Sequence, residues 1–229
     1  MKRKETLLNT QLFKDLNLEE IGDDEHIATS KETPLRPDAF DISDEVKMAL
    51  IQDHFKEIML ILGLDLNDDS LKGTPGRVAK MYVKEVFSGL NPANRPTIKL
   101  FDNKYKYNQM LVEKDIAFYS NCEHHFVPII GKAHVAYIST GKVIGLSKIN
   151  RIVQYYSKRP QVQERLTVQI ANDLKESLKT EDVAIVMDAS HLCVSSRGVN
   201  DISSRTVTSS YHGKFLEESF KNEFLKYIS

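Results

Sequence analysis

Ile51, Phe55, Ile58, Met59 and Leu62 recur at the three- and four-residue intervals of one helical face. Ser43 precedes them as a cap, Asp44 and Glu45 complement the positive helix start, and Gly63 closes the run. A second helix is predicted from Thr74-Pro75, a cap followed by proline, with Ala79, Tyr82, Val83 and Val86 as its buried stripe. From about residue 95 the period shortens to two. Residues 97–101, 111–119 and 132–138 read as strands, and Gly141 with Lys142-Val143-Ile144 as a hairpin return. Helices are predicted from Ser147 to about Ser157 and from Gln161 to about Leu178; the second carries Val162, Leu166, Ile170, Leu174 and Leu178 on a four-residue beat. Strands over 183–194 and from Arg205 to about Lys214, then a short terminal helix, complete the pattern. It predicts an α+β fold: an antiparallel sheet with two long helices on one face, preceded by N-terminal helices.

Residues 1–42 stand outside this pattern. A short amphipathic piece (Leu7, Leu8, Leu12, Phe13, Leu16) is followed by acidic runs, and Thr33-Pro34 and Arg36-Pro37 break any helix. They read as a variable extension, flexible or peripherally docked, and residues 43–229 as the principal domain. With 41% hydrophobic and 28% charged residues the chain can build a core, and no run approaches the roughly 18 apolar residues of a membrane helix. A net charge of −1 supplies no basic field, which excludes general nucleic-acid binding. The basic start Met1-Lys2-Arg3-Lys4 is followed by Glu5, Asn9 and Gln11 rather than a signal peptide's apolar region. A cytoplasmic protein with reduced thiols is expected.

Both cysteines of the chain lie beside histidines, in Cys122-Glu123-His124-His125 and in His191-Leu192-Cys193. Thiolate and imidazole together are the donor set that zinc prefers. Five candidates are more than a four-coordinate ion needs, so a closed structural site and an open catalytic one are both compatible. Spacing does not choose between His124 and His125. On a strand over 183–194, His191 and Cys193 would share a face.

The cations are gathered locally. Arg77 and Lys80 open one helix, and Lys148 and Arg151 open another. Cations there oppose the helix dipole by about 0.3 to 1 kcal/mol each, which makes sense if an anion binds. Arg197 follows Cys193 closely. Together these point to a polyphosphate, although the chain has no P-loop. Gln163 and Glu164 open the long helix off its apolar stripe; a glutamate there can serve the dipole or accept guanine N–H groups. Ser147 reads as a helix cap.

Four segments resemble the signatures of GTP cyclohydrolase type I: Cys122 to His125, Gly145-Leu146-Ser147-Lys148, Gln161-Val162-Gln163-Glu164-Arg165-Leu166-Thr167, and His191 to Val199. The similarity runs from about Ser43 to Phe215, so 43–229 reads as the catalytic domain. The resemblance implies a tunnelling fold assembled into a homo-oligomer, a decamer of two pentamers, with active sites between subunits. It implies conversion of GTP to 7,8-dihydroneopterin triphosphate with release of formate, the first step of tetrahydrofolate and pterin synthesis. It assigns one zinc ion per subunit to Cys122, His125 and Cys193, leaving a fourth position for water, and proton transfer to His124 and His191. Gln163 and Glu164 would hold guanine and Ser147 the ribose. Lys148, Arg151 and Arg197 would hold the triphosphate near the zinc motifs, with Arg77 and Lys80 from a neighbouring subunit.

Rival readings fit less well. Relatives on the same fold use three histidines or a cysteine nucleophile. A zinc nucleobase deaminase needs His-x-Glu with Pro-Cys-x-x-Cys, which the chain lacks. A non-catalytic nucleotide-binding ring would fill the fourth zinc position with His124 or His191.

Overall fold

The computed structural model describes residues 30–229, so the amphipathic piece from Leu7 to Leu16 lies outside the described residues. Helix α1 (Asp44–Ile61) starts at the expected cap: Ser43 is extended and its Oγ accepts the Val46 N–H at 3.4 Å. Gly63, at φ 80°, takes the left-handed conformation that ends it. Helix α2 (Thr74–Met81) departs from expectation, because Gly73 is its cap and Thr74 its first residue. The Thr74 hydroxyl instead accepts from Arg77 Nη2 at 2.9 Å. A π-helical turn, Tyr82–Val86, continues α2.

The remaining elements are β1 (Leu100–Asp102), β2 (Met110–Cys122), β3 (Pro128–Ile138), β4 (Lys142–Ile144), α3 (Leu146–Ser157), β5 (Pro160–Gln161), α4 (Gln163–Leu178), β6 (Val183–His191), α5 (Leu192–Ser195), β7 (Thr206–Tyr211) and α6 (Glu218–Ile228). The main sheet has the order β5-β2-β3-β6-β7. It is antiparallel except for the short β2–β5 pair. Strand β4 does not return along β3 as a hairpin. Both sides of β3 are taken by β2 and β6, so β4 pairs with β1 in a separate ribbon, Leu100 opposite Ile144.

Strand alternation sorts the core into two layers. Ala133, Val135 and Tyr137 of β3 and Val183, Ile185 and Met187 of β6 face α3 and α4, whose Ile149, Ile152, Val153, Leu166, Ile170 and Leu174 complete that layer. Ala136 and Ile138 of β3 and Ala184 and Val186 of β6 face the other way, where Phe215 and Phe224 cover them. The two long helices α3 and α4 thus share one face, while the C-terminal segment carrying Phe215 and Phe224 covers part of the other, since these strands are apolar on both sides. Gly89 lets the loop before β1 approach α3. Its N–H donates to the Lys158 carbonyl at 2.9 Å, and a Cβ there would stand 2.0 Å from the Tyr155 carbonyl oxygen. Residues 32–229 form one compact unit. Among the described residues no helix is long and apolar enough to cross a membrane.

Candidate active site and metal centre

The ends of β2 and β6 and the start of α4 meet at one end of the sheet. Cys122, the last residue of β2, is buried. Its N–H donates to the Val127 carbonyl and its carbonyl accepts from the Phe126 N–H, both at 2.8 Å. These bonds close a tight turn with Glu123, His124 and His125 at its tip. Phe126 pays for the turn with φ 54°, an unfavourable region for an aromatic residue. Its ring is held edge-on against Phe87, with centroids 5.0 Å apart.

Strand β6 stops at His191, short of the expected Val194. The reason lies in its neighbour: Ile129 faces His191, so the next partner is Pro128, which has no N–H to offer. The chain turns into α5, and Cys193 reaches the site from a helical turn rather than by strand alternation. Even so, the ligand atoms of Cys122, His125 and Cys193 all lie within 4.8 Å of one another. A tetrahedral ion with bonds of about 2.3 Å separates its ligands by about 3.8 Å, so a small closure suffices to hold a metal ion. Both cysteines are free thiols. Burial, and next the adjacent Cys122, push the Cys193 thiol up to about 11. A bound cation reverses that balance, because it favours thiolate.

His124 and His191 flank this group. His124 is exposed, its Nε2 3.8 Å from a Glu123 carboxylate oxygen. Burial pushes His191 below its ordinary value, against a smaller opposite effect of Glu164. Two residues that the site logic overlooked stand behind the turn. The Arg165 guanidinium pairs with the Glu123 carboxylate, and its Nε donates to Gln161 Oε1 at 2.9 Å. With its side chain only 3% exposed, Arg165 backs the His124–His125 tip from inside. The available signal was a charged residue on the buried side of α4.

Gln163, expected at the guanine edge, turns inward. Its side chain is buried and its Oε1 lies 2.7 Å from His191 Nε2, whereas Glu164 beside it is exposed. Arg197 reaches the metal group, Nη1 lying 2.7 Å from His125 Nε2.

Ser147, Lys148 and Arg151 stand elsewhere. Gly145 is the α3 cap, without a side-chain bond, so Ser147 is an exposed first-turn residue rather than a cap. Helix α3 runs alongside β2 in the same direction: Gln154 donates to the Ala117 carbonyl at 2.6 Å, and Ser120 to the Arg159 carbonyl at 3.4 Å. Counting helix rise back to Ser147 and strand rise on to Cys122 separates them by on the order of 25 Å. Within one chain, Lys148 and Arg151 are therefore not near the zinc motifs. Arg77 donates to its own loop, at the Ser70 carbonyl and Thr74 hydroxyl, and Lys80 is exposed on α2.

Residues 51–229 match the family model described as GTP cyclohydrolase I, a span that takes in the whole metal group and all the cations above. The chain belongs to the GTP cyclohydrolase I family. It is accordingly an enzyme. It is 63% identical over 211 residues to GTP cyclohydrolase 1 of Flavobacterium johnsoniae, covering 92% of this chain and 94% of that protein. With GTP cyclohydrolase 1 of Citrobacter koseri it shares 52% over 203 residues, 88% of this chain and 91% of that protein. Among solved structures, the apo form of the archaeosine synthase QueF-Like is similar to 44% of this chain and 90% of its own, at 17% identity and a TM-score of 0.37.

Proposed function

We propose that this enzyme hydrolyses and rearranges GTP to 7,8-dihydroneopterin triphosphate, releasing formate, the opening step of tetrahydrofolate and pterin synthesis. The observation that carries the reading is the grouping of Cys122, His125 and Cys193 with two further histidines, His124 and His191, at one sheet end. Three ligands with room for a fourth suit catalytic zinc better than structural zinc. Zinc held there supplies Lewis acidity, which acidifies water towards neutral pH.

His124 and His191 exchange protons with the imidazole nitrogens of the opening ring; histidine suits this because its ordinary pKa of about 6.5 lies near working pH. Glu164, exposed in the first turn of α4, accepts the guanine N–H groups. Arg197 holds the phosphates from the same chain. Ser147, Lys148 and Arg151 are too far off to join them in one chain, so they serve the site of a neighbouring subunit, with Arg77 and Lys80 from another. Exposed apolar residues at the end of α1, Ile61 at 85% and the following Leu62 at 70%, favour such assembly. The assembly we propose is a cytoplasmic decamer of two pentamers.

Incubation of the purified, zinc-loaded oligomer with GTP tests the reading. Formate and the pterin absorbance band should appear together, and GTP left intact by fully loaded protein removes it.

A further inference from the structure

We propose that Gln163 is a positioning residue that fixes the tautomer of His191, so that Nε2 keeps its proton and Nδ1 faces the reacting atoms. This rests on the reading of His191 as a proton-transfer group.

The argument begins with the orientation of the Gln163 amide. One of its terminal atoms lies 3.2 Å from the Met187 carbonyl oxygen, 2.9 Å from the Thr206 carbonyl oxygen and 3.1 Å from the Thr208 hydroxyl. Two backbone carbonyls can only accept, so that atom is the nitrogen. A flipped amide would press oxygen against both carbonyls and forfeit the bonds to them in a buried site, an arrangement that costs far more than it returns. The amide oxygen therefore faces His191, 2.7 Å from Nε2, and it can only accept. His191 must carry its proton on Nε2. A neutral imidazole has one N–H, which leaves the lone pair on Nδ1.

The amide is held from several sides. Thr208 also lies 2.7 Å from the Thr167 hydroxyl, which in turn donates to the Gln163 carbonyl at 2.8 Å. One assignment is consistent throughout: Gln163 shares its two N–H groups among the Met187 and Thr206 carbonyls and the Thr208 hydroxyl, Thr208 donates to Thr167, and Thr167 to the Gln163 carbonyl. Gln163 and Thr167 are each 1% exposed, so water offers no substitute partners. Met187 pairs with Thr208 and Ala189 with Thr206 across the β6–β7 ladder. The protonation pattern at the end of β6 is thus imposed by β7 through the first residue of α4. Protonation of Nδ1 leaves the Nε2–H to Gln163 bond intact.

Nitrogen-15 magic-angle-spinning spectra of the intact oligomer, labelled in histidine and assigned by difference with His191→Asn, read the tautomer directly. His191 should show a protonated Nε2 and a bare Nδ1 in the unaltered protein. The opposite tautomer overturns the proposal whether or not any variant folds. In Gln163→Met, which keeps the side-chain length, the two tautomers should mix and kcat should fall about 10²-fold, the usual scale of a misplaced proton-transfer group. KM for GTP should stay within about twofold. A raised KM with kcat retained overturns the proposal and returns Gln163 to the guanine contact. Failure of the unaltered enzyme to release formate would instead strike the reaction, leaving the tautomer measurement to stand by itself.

Discussion

Glu164 is exposed between two buried polar neighbours, Gln163 and Arg165, so the first turn of α4 sends one carboxylate outward while it spends the other side chains on internal bonds. A site that pairs buried polar groups discriminates by about 10⁴ or more when one partner is missing. Glu164→Gln presents amide N–H to guanine N–H, so kcat/KM for GTP should fall on that scale; steady-state assays with GTP, and with ATP as a substrate that should not turn over, check it. The metal group yields a sharper contrast. Cys122→Ser or Cys193→Ser should lose both zinc and turnover, because hydroxyl is a poor ligand, whereas His124→Ala should keep zinc and lose turnover. Metal analysis of the three proteins decides the assignment of the two adjacent histidines. Thiols beside histidines were legible in the sequence because metal chemistry is written in residue type. The role of Gln163 was not, since its partners Thr206 and Thr208 lie about forty residues away on a strand that reaches it only in the fold.

At the scale of elements, α4 is tied to its surroundings by a buried carboxylate. Arg95 donates to both Asp173 oxygens at 3.0 Å, Tyr156 donates at 2.8 Å and Ser177 at 2.8 Å. Burial alone would push Asp173 up, but these bonds outweigh it and hold the carboxyl below its ordinary value. Asp173→Ala leaves the Tyr156 donor without its partner, while the half-exposed Arg95 can turn to water, and should cost about 1 to 3 kcal/mol in chemical unfolding. Strand β2 carries a bulge between Glu113 and Ile116, where Asp115 sits at φ 59°. His134 accepts the Asp115 N–H there at 3.2 Å. Burial pushes His134 below its ordinary value, against the attraction of Asp115 and Asp188, with Lys132 and Lys114 adding to the fall. The unfolded chain then binds the proton more readily than the folded one below about pH 6.5. Stability should be full above that pH and decline as pH drops towards the folded value. Denaturation midpoints between pH 7.5 and 5.5 should shift less in His134→Gln. Helix α1 was legible through its cap and glycine, both local signals. The fate of β4 was not, because it depends on which strand edges remain open.

At the scale of the whole molecule, the metal group stands at one end of β2 and Lys148 and Arg151 at the far end of α3, although the proposed reaction needs both. Subunits carrying Arg151→Ala should be inactive alone, as should those carrying Cys193→Ser. Co-expressed in one ring they should regain part of the activity, because some boundaries then pair an intact metal group with an intact Arg151. Zero recovery in verified mixed rings would place the site within one chain. Sequence motifs pointed to both groups as binding residues but carried no information on their distance, which the direction of α3 along β2 determines. In the assembly we propose, where the two halves of the site lie on different chains, the enzyme would be a gauge of its own abundance. A scarce, dissociated subunit would then lack half of its site. Turnover should therefore rise more steeply than protein concentration, with the onset of synthesis a threshold rather than a ramp.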